Sequence, residues 1–160
     1  MGSRVKRSFR VVYEPTGAEL DAAMALRYRV FVEEQDVAIE LERDELDESA
    51  HHVVLMVEGG QALATGRVLV RGPVGKIQRV AVDRTERGGG YGREVMKHLE
   101  ICARAHGAST ARLASQVEAV AFYERLGYAA FGDLFIDAGI LHRWMEKPLE
   151  PSGTNTNQAT

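Results

Sequence analysis

From Lys76 to Arg93 the chain reads KIQRVAVDRTERGGGYGR: a strand-like apolar stretch, a short link, and a glycine-rich turn flanked by Arg87 and Arg93. Gly88, Gly89, Gly90 and Gly92 fall within five positions, with Tyr91 between the last two. A helix that opens on such a turn has backbone N–H groups that no side chain covers. Together with the positive end of the helix dipole, they make an anion site suited to a pyrophosphate. A kinase-type P-loop would need G-x-x-x-x-G-K-[ST], a string the chain lacks. A dinucleotide fingerprint would need G-x-G-x-x-G directly after a strand. Here the run from Gly90 ends in Val95, and Asp83 to Glu86 intervene. A third pattern, R-x-x-G-x-G, is met by Arg87, Gly90 and Gly92. The plain alternative is a turn that holds no ligand.

The elements around this turn have to place it. The Phe9–Tyr13 segment reads as a strand. Thr16-Gly17-Ala18-Glu19 has the form of a capping box, so a helix is expected from there, with Leu20, Met24, Tyr28 and Phe31 as its apolar face. The stretch after it is acidic and irregular, with room for one short helix. Val53–Val57 and Leu63–Val70 read as strands joined by a tight hairpin at Gly59-Gly60. Gly72-Pro73 separates the second from an Ile77–Val82 strand. Val95, Met96, Leu99, Cys102 and Ala103 mark the inner face of the helix that follows the glycine turn, and Gly107 ends it. A strand over Ala111–Ser115, a helix over Glu118–Leu126 and strands over Tyr128–Phe131 and Leu141–Met145 complete the order. Short early turns imply antiparallel pairing, and the helical crossover implies one parallel pair. The expected fold is α/β, a central mixed sheet flanked by helices, as a single domain over residues 4–148 with a disordered tail over residues 149–160.

Composition narrows the class. The 160 residues suit one domain, and 45% of them are hydrophobic, enough for a real core. A net charge of −3 gives no basic footprint, so no nucleic-acid partner is expected. No apolar run approaches the ~20 residues that span a bilayer. A single cysteine, Cys102, rules out an internal disulfide and fits a reducing cytoplasm. His51 and His52 are adjacent on a strand and point to opposite faces, and no cluster has zinc spacing, so no metal is expected.

A second motif follows the first. Gln116-x-x-Ala119-x-x-Phe122-Tyr123-x-x-x-Gly127-Tyr128 and the R-x-x-G-x-G turn together resemble the GCN5-related N-acetyltransferase (GNAT) family, in the family's order and spacing. The resemblance spans residues 9–147. Gln116 stands where the family usually has Asn. The segments Tyr28–Gln35, Asp47-x-x-Ala50-x-His52 and Phe135–His142 are similar to the ElaA-like branch, which commonly has Pro where Leu141 stands.

The resemblance implies acetyl-CoA as co-substrate and a primary amine as acceptor, on a small molecule or a peptide. Val80, Ala81 and Val82 would bind pantetheine through their main chain. The loop from Arg87 to Arg93 and the Gln116 amide would bind the rest of the cofactor. Tyr123 matches the position that protonates the departing thiolate. A lysine-like amine is mostly protonated at neutral pH, so a base is needed as well. Glu34 and His142 are the candidates, with His52, Asp47 and a water relay as alternatives. Nine acidic residues and one basic one, Arg43, lie between Glu33 and Glu48; beside the acceptor they would favour a cationic amine. The alternatives are a non-catalytic acyl-CoA-binding module on the same fold, against which Tyr123 counts since a Phe there would favour it, and a transferase for longer acyl chains. Monomer and homodimer are both compatible with the sequence.

Overall fold

The computed structural model describes residues 6–151. Seven strands form one sheet in the order β1-β2-β3-β4-β5-β7-β6. They are β1 (Arg10–Tyr13), β2 (His51–Met56), β3 (Ala62–Arg71), β4 (Val74–Val82), β5 (Thr110–Gln116), β6 (Ala129–Asp137) and β7 (Ile140–Pro148). All neighbours are antiparallel except β4 and β5. The crossover between those two is helix α3 (Tyr91–Ala105). The remaining helices are α1 (Gly17–Arg27), α2 (Ile39–Glu42) and α4 (Val120–Arg125).

Strand alternation divides the core between two faces. Val53 and Leu55 face Val95, Leu99 and Ala103 of α3, whereas Val54 and Met56 face Ala23 and Leu26 of α1. The five apolar α3 positions read from the sequence are all buried. The α1 face was misread. Ala23, Leu26, Arg27 and Val30 are buried, while Tyr28 is exposed. Past Arg27 the chain widens into a π-helical turn over Tyr28–Glu34, which shifts the phase of the apolar stripe. The capping box does not form either. Thr16 makes no side-chain cap bond, and the Glu19 carboxylate pairs with Arg10 at 2.6 Å.

Three buried or half-buried arginines explain the acidic segment. Arg27 meets Glu42 at 2.7 Å with both side chains 1% exposed, and it also reaches Asp47 at 2.7 Å. Arg67 on β3 bonds Asp44 and Asp47 at 2.7 and 2.6 Å. Arg79 donates to the Leu41 and Glu42 carbonyls at 2.8 and 3.0 Å. Burial alone would raise the Asp47 carboxyl, but its hydrogen bonds and charge contacts with Arg27 and Arg67 outweigh that and lower it to about 2. Leu149, which the sequence reading put in the tail, is buried in the core and donates its N–H to the Ser109 carbonyl. The rest of that expected tail from residue 152, and the start of the expected domain at residues 4 and 5, lie outside the described residues. Among the described residues no helix is long and apolar enough to cross a membrane.

Candidate active site

Strands β4 and β5 pair over only four rungs, from Val74–Thr110 to Ile77–Leu113. Beyond Ile77, β4 continues to Val82 with β3 beside it on one side and no β5 partner on the other. The divergence has a local cause. At Arg79 the backbone turns to a φ of 59°, and the β3–β4 register shifts between Thr65 and Arg67. An extra residue of this kind bends and twists a strand away from its neighbour.

A cleft of about 900 Å³ fills the fork. Val80, Ala81 and Val82 line one wall, and Gln116 and Tyr123 line the other. At one end lies the start of α3. Gly90 is its N-cap at φ 87°, a left-handed conformation open to glycine, and no side chain caps the helix. The first helical bond found there runs from the Glu94 N–H to the Gly90 carbonyl, so the N–H groups of the first turn have no partner within the helix. Packing requires the smallness of the neighbouring glycines. A Cβ on Gly92 would come within 3.2 Å of the Phe122 ring, and one on Gly89 within 2.7 Å of the Tyr91 ring. Gly89 itself does not line the cleft; Arg87, Gly88, Gly90, Tyr91, Gly92 and Arg93 do. The Tyr91 ring is buried and its hydroxyl accepts from the Arg7 N–H, so toward the cleft Tyr91 offers main chain.

Tyr123 stands half-buried on α4, edge-on to Phe122 and Tyr128. Burial raises its phenol to about 12, so the proton stays on oxygen through the neutral range. Among the described residues nothing hydrogen-bonds that hydroxyl.

His142 lies opposite Gln116 on β7 and lines the same cleft. Its Nδ1 is 2.7 Å from the Ile140 carbonyl. A carbonyl can only accept, so Nδ1 carries the proton and neutral His142 presents a lone pair at Nε2. Stacking on Phe135, which stacks in turn on Trp144, holds the ring. The other proposed bases are placed differently. Glu34 does not line the cleft; it forms a two-pronged pair with Arg87, whose hydrogen bonds keep its carboxyl below the ordinary range. Asp47 is inside the arginine cluster, and His52 donates Nε2–H to the Asp47 carbonyl. Gln116 donates its amide to Gln35 at 2.7 Å.

A second, smaller cavity of about 330 Å³ adjoins the cleft and shares Phe31, Gln35, Gln116, Asp137 and His142 with it. Asp137 was not singled out as a site residue from the sequence, although it sits inside the quoted Phe135–His142 segment. Among the described residues its carboxylate has no partner.

Residues 13–149 match the acetyltransferase (GNAT) domain family. The chain belongs to that family. Among GNAT relatives, it is 38% identical over 130 residues to the uncharacterized N-acetyltransferase YjcF of Bacillus subtilis (strain 168), covering 81% of this chain and 92% of the relative. The crystal structure of an acyl-CoA N-acyltransferase from Pseudomonas aeruginosa superposes with a TM-score of 0.77 at 28% identity, covering 88% of this chain and 99% of that one. Escherichia coli ElaA shares the fold, with a TM-score of 0.75 at 24% identity over 88% of this chain and 99% of its own. This GNAT protein is therefore a transferase enzyme, and the co-substrate its fold implies is an acyl-CoA. The residues present fit one. The uncapped α3 start suits a pyrophosphate, and the open β4 edge suits an extended amide chain.

Proposed function

We propose that this enzyme transfers the acetyl group of acetyl-CoA to a primary amine by direct attack, with both substrates bound at once. The observation that carries the reading is that Tyr123, His142 and the uncapped start of α3 all border one cleft. Bound acetyl-CoA supplies an activated thioester carbonyl. Val80–Val82 would hold its arm by main-chain bonds, and Gly88 with the turn from Gly90 to Arg93 would hold its pyrophosphate. Nε2 of His142 takes one proton from the incoming ammonium, and the freed amine forms the C–N bond as the C–S bond breaks. The Tyr123 hydroxyl gives its proton to the departing sulfur, and the second proton shed by the nitrogen returns to the Tyr123 oxygen through solvent. Glu34, expected as a base, is better read as the residue that positions Arg87. A thioester acyl-enzyme has no cysteine among the described residues that line the cleft. Cys102 does not line it, and burial with the nearby Glu14 charge pushes its thiol up to about 11.

The smaller cavity is the proposed acceptor site. The acidic run contributes little net charge there, because Glu42 and Asp44 are paired with Arg27, Arg67 and Arg79. Asp137 supplies the carboxylate for a cationic amine. The test begins with calorimetric titration of acetyl-CoA into the protein and into an Arg87→Glu, Gly90→Asp double variant, followed by an amine panel read by released CoA. Binding lost in the variant, together with turnover, supports the reading. Binding without turnover on any amine or acyl chain would favour an acyl-CoA-binding module, and no binding would overturn both.

A further inference from the structure

Away from the cleft, His51, Cys102 and His106 each place a donor atom within 4.8 Å of those of the other two. None of the three lines either cavity. Cys102 and His106 are four residues apart on α3 and its C-cap, so they share a helix face. His51 opens β2 and lays its ring on that of His106, with centroids 3.7 Å apart and planes 23° from parallel. Cys102 Sγ is 3.8 Å from His106 Nδ1. Ligand atoms around a tetrahedral zinc ion with ordinary Zn–N and Zn–S bonds lie roughly 3.3–3.8 Å apart. The exposed His106 ring reaches that arrangement by rotating off the His51 ring, because an ion lies in the plane of each imidazole it binds.

A second observation points the same way. His51 Nδ1 is 2.7 Å from the Glu14 carboxylate, which fixes the proton on Nδ1 and leaves Nε2 as the lone-pair nitrogen. His106 Nδ1 is 2.9 Å from the Cys102 carbonyl. A histidine whose far nitrogen is held by a carboxylate is the usual arrangement behind a metal ligand, and His51 has it. His106 Nδ1, the nitrogen near Sγ, has to give up its bond to the Cys102 carbonyl to bind an ion. Glu14 is set for this by a backbone φ of 54° and by its N–H bond to the His52 carbonyl.

We propose that His51, Cys102 and His106 form a binding site for a thiophilic divalent cation such as Zn2+, with Glu14 orienting His51 from outside. Binding exchanges the Cys102 S–H proton for an S–metal bond and releases the proton to solvent. A water fills the fourth position, on the side where His106 is exposed. The two-nitrogen, one-sulfur donor set selects zinc-like ions over Mg2+ and Ca2+. The ion ties the end of α3 to the β1–β2 edge of the sheet, so its role is to brace the fold. It takes no part in the proposed transfer.

The probe is Co2+, titrated under reducing conditions into full-length, chelator-stripped protein that carries no histidine tag. A thiolate-to-cobalt charge-transfer band in the near ultraviolet, saturating at one ion per chain, is expected. Zn2+ should abolish it and excess Mg2+ should not. His106→Ala, at an exposed position, and Cys102→Ala should each remove the band, and Glu14→Gln should weaken binding about 10–100-fold. Zn2+ should raise the thermal midpoint of the parent protein and not that of His106→Ala. A folded protein with no thiolate band, or a band that survives either alanine substitution, would overturn the proposal.

Discussion

Glu34 and Arg87, 53 positions apart, grip each other with both carboxylate oxygens and both terminal guanidinium nitrogens, the outer bond measuring 2.8 Å. Arg87 also donates to the Val82 carbonyl, at 3.2 and 3.1 Å. The end of the first helical segment is thereby fastened to the glycine-rich turn and to the cleft wall. Glu34 stays charged at any pH where the enzyme would work, because Arg87 lowers its carboxyl pKa. To reach a phosphate, Arg87 has to give up part of this grip. Glu34→Gln is therefore expected to tighten acetyl-CoA binding by about two- to fivefold, the scale of an exposed ion pair. Arg87→Ala should weaken binding by about tenfold. Calorimetry on the two variants checks both, and a collapse of turnover in Glu34→Gln at unchanged binding would restore Glu34 as the base.

Tyr123→Phe removes one oxygen and keeps the ring against Phe122 and Tyr128. Loss of a positioned acid costs about 100-fold in kcat at the lower end of its usual range. The dissociation constant for acetyl-CoA should hardly move. Because burial raises the phenol to about 12, no loss of kcat from this group is expected as pH rises to about 10. Steady-state kinetics with an amine found by the panel reads both.

His142→Gln should lower kcat/KM by about 100-fold while leaving thermal stability close to the parent's. Added imidazole should restore part of the rate, since the missing group is a lone pair in a cavity of the right size. A variant as active as the parent would move proton removal to solvent.

Asp47→Asn breaks a half-buried contact shared by two buried arginines, which keep Glu42 and Asp44, and should cost about 1.5–3 kcal/mol in urea unfolding at neutral pH. The carboxyl titrates near 3.8 when unfolded and at about 2 when folded. Its contribution is thus complete above about pH 4 and lost as pH falls toward 2. Across that window the parent should lose stability more steeply than Asp47→Asn, and equal slopes would place the acid sensitivity elsewhere.

The glycine turn was legible in the sequence because its signals are local. Gly90 needs a left-handed backbone, and the apolar spacing from Val95 to Ala103 needs only a regular helix. The acidic segment was not legible, because its partners Arg67 and Arg79 lie 20 to 38 positions away and only the fold brings them in. The α1 face was misjudged for a related reason. Arg27 is buried because Glu42 and Asp47 wait for it, and charge at an inner position disguises the stripe. The side-chain cluster behind the proposed metal site was likewise hidden from chain spacing. Tertiary structure brings His51 to Cys102 and His106, 51 and 55 residues further on, and no periodicity reports that.

The four rungs between β4 and β5 make a narrow seam between a four-stranded and a three-stranded half-sheet. An extended chain bound in the fork as proposed would add rungs to that seam. The amide protons of Val80 to Val82 should then act as a clock of occupancy, exchanging with deuterium in step with local parting of the halves when the fork is open and slowing toward the global unfolding rate when it is filled. Loading the enzyme would weld two half-sheets into one cooperative unit.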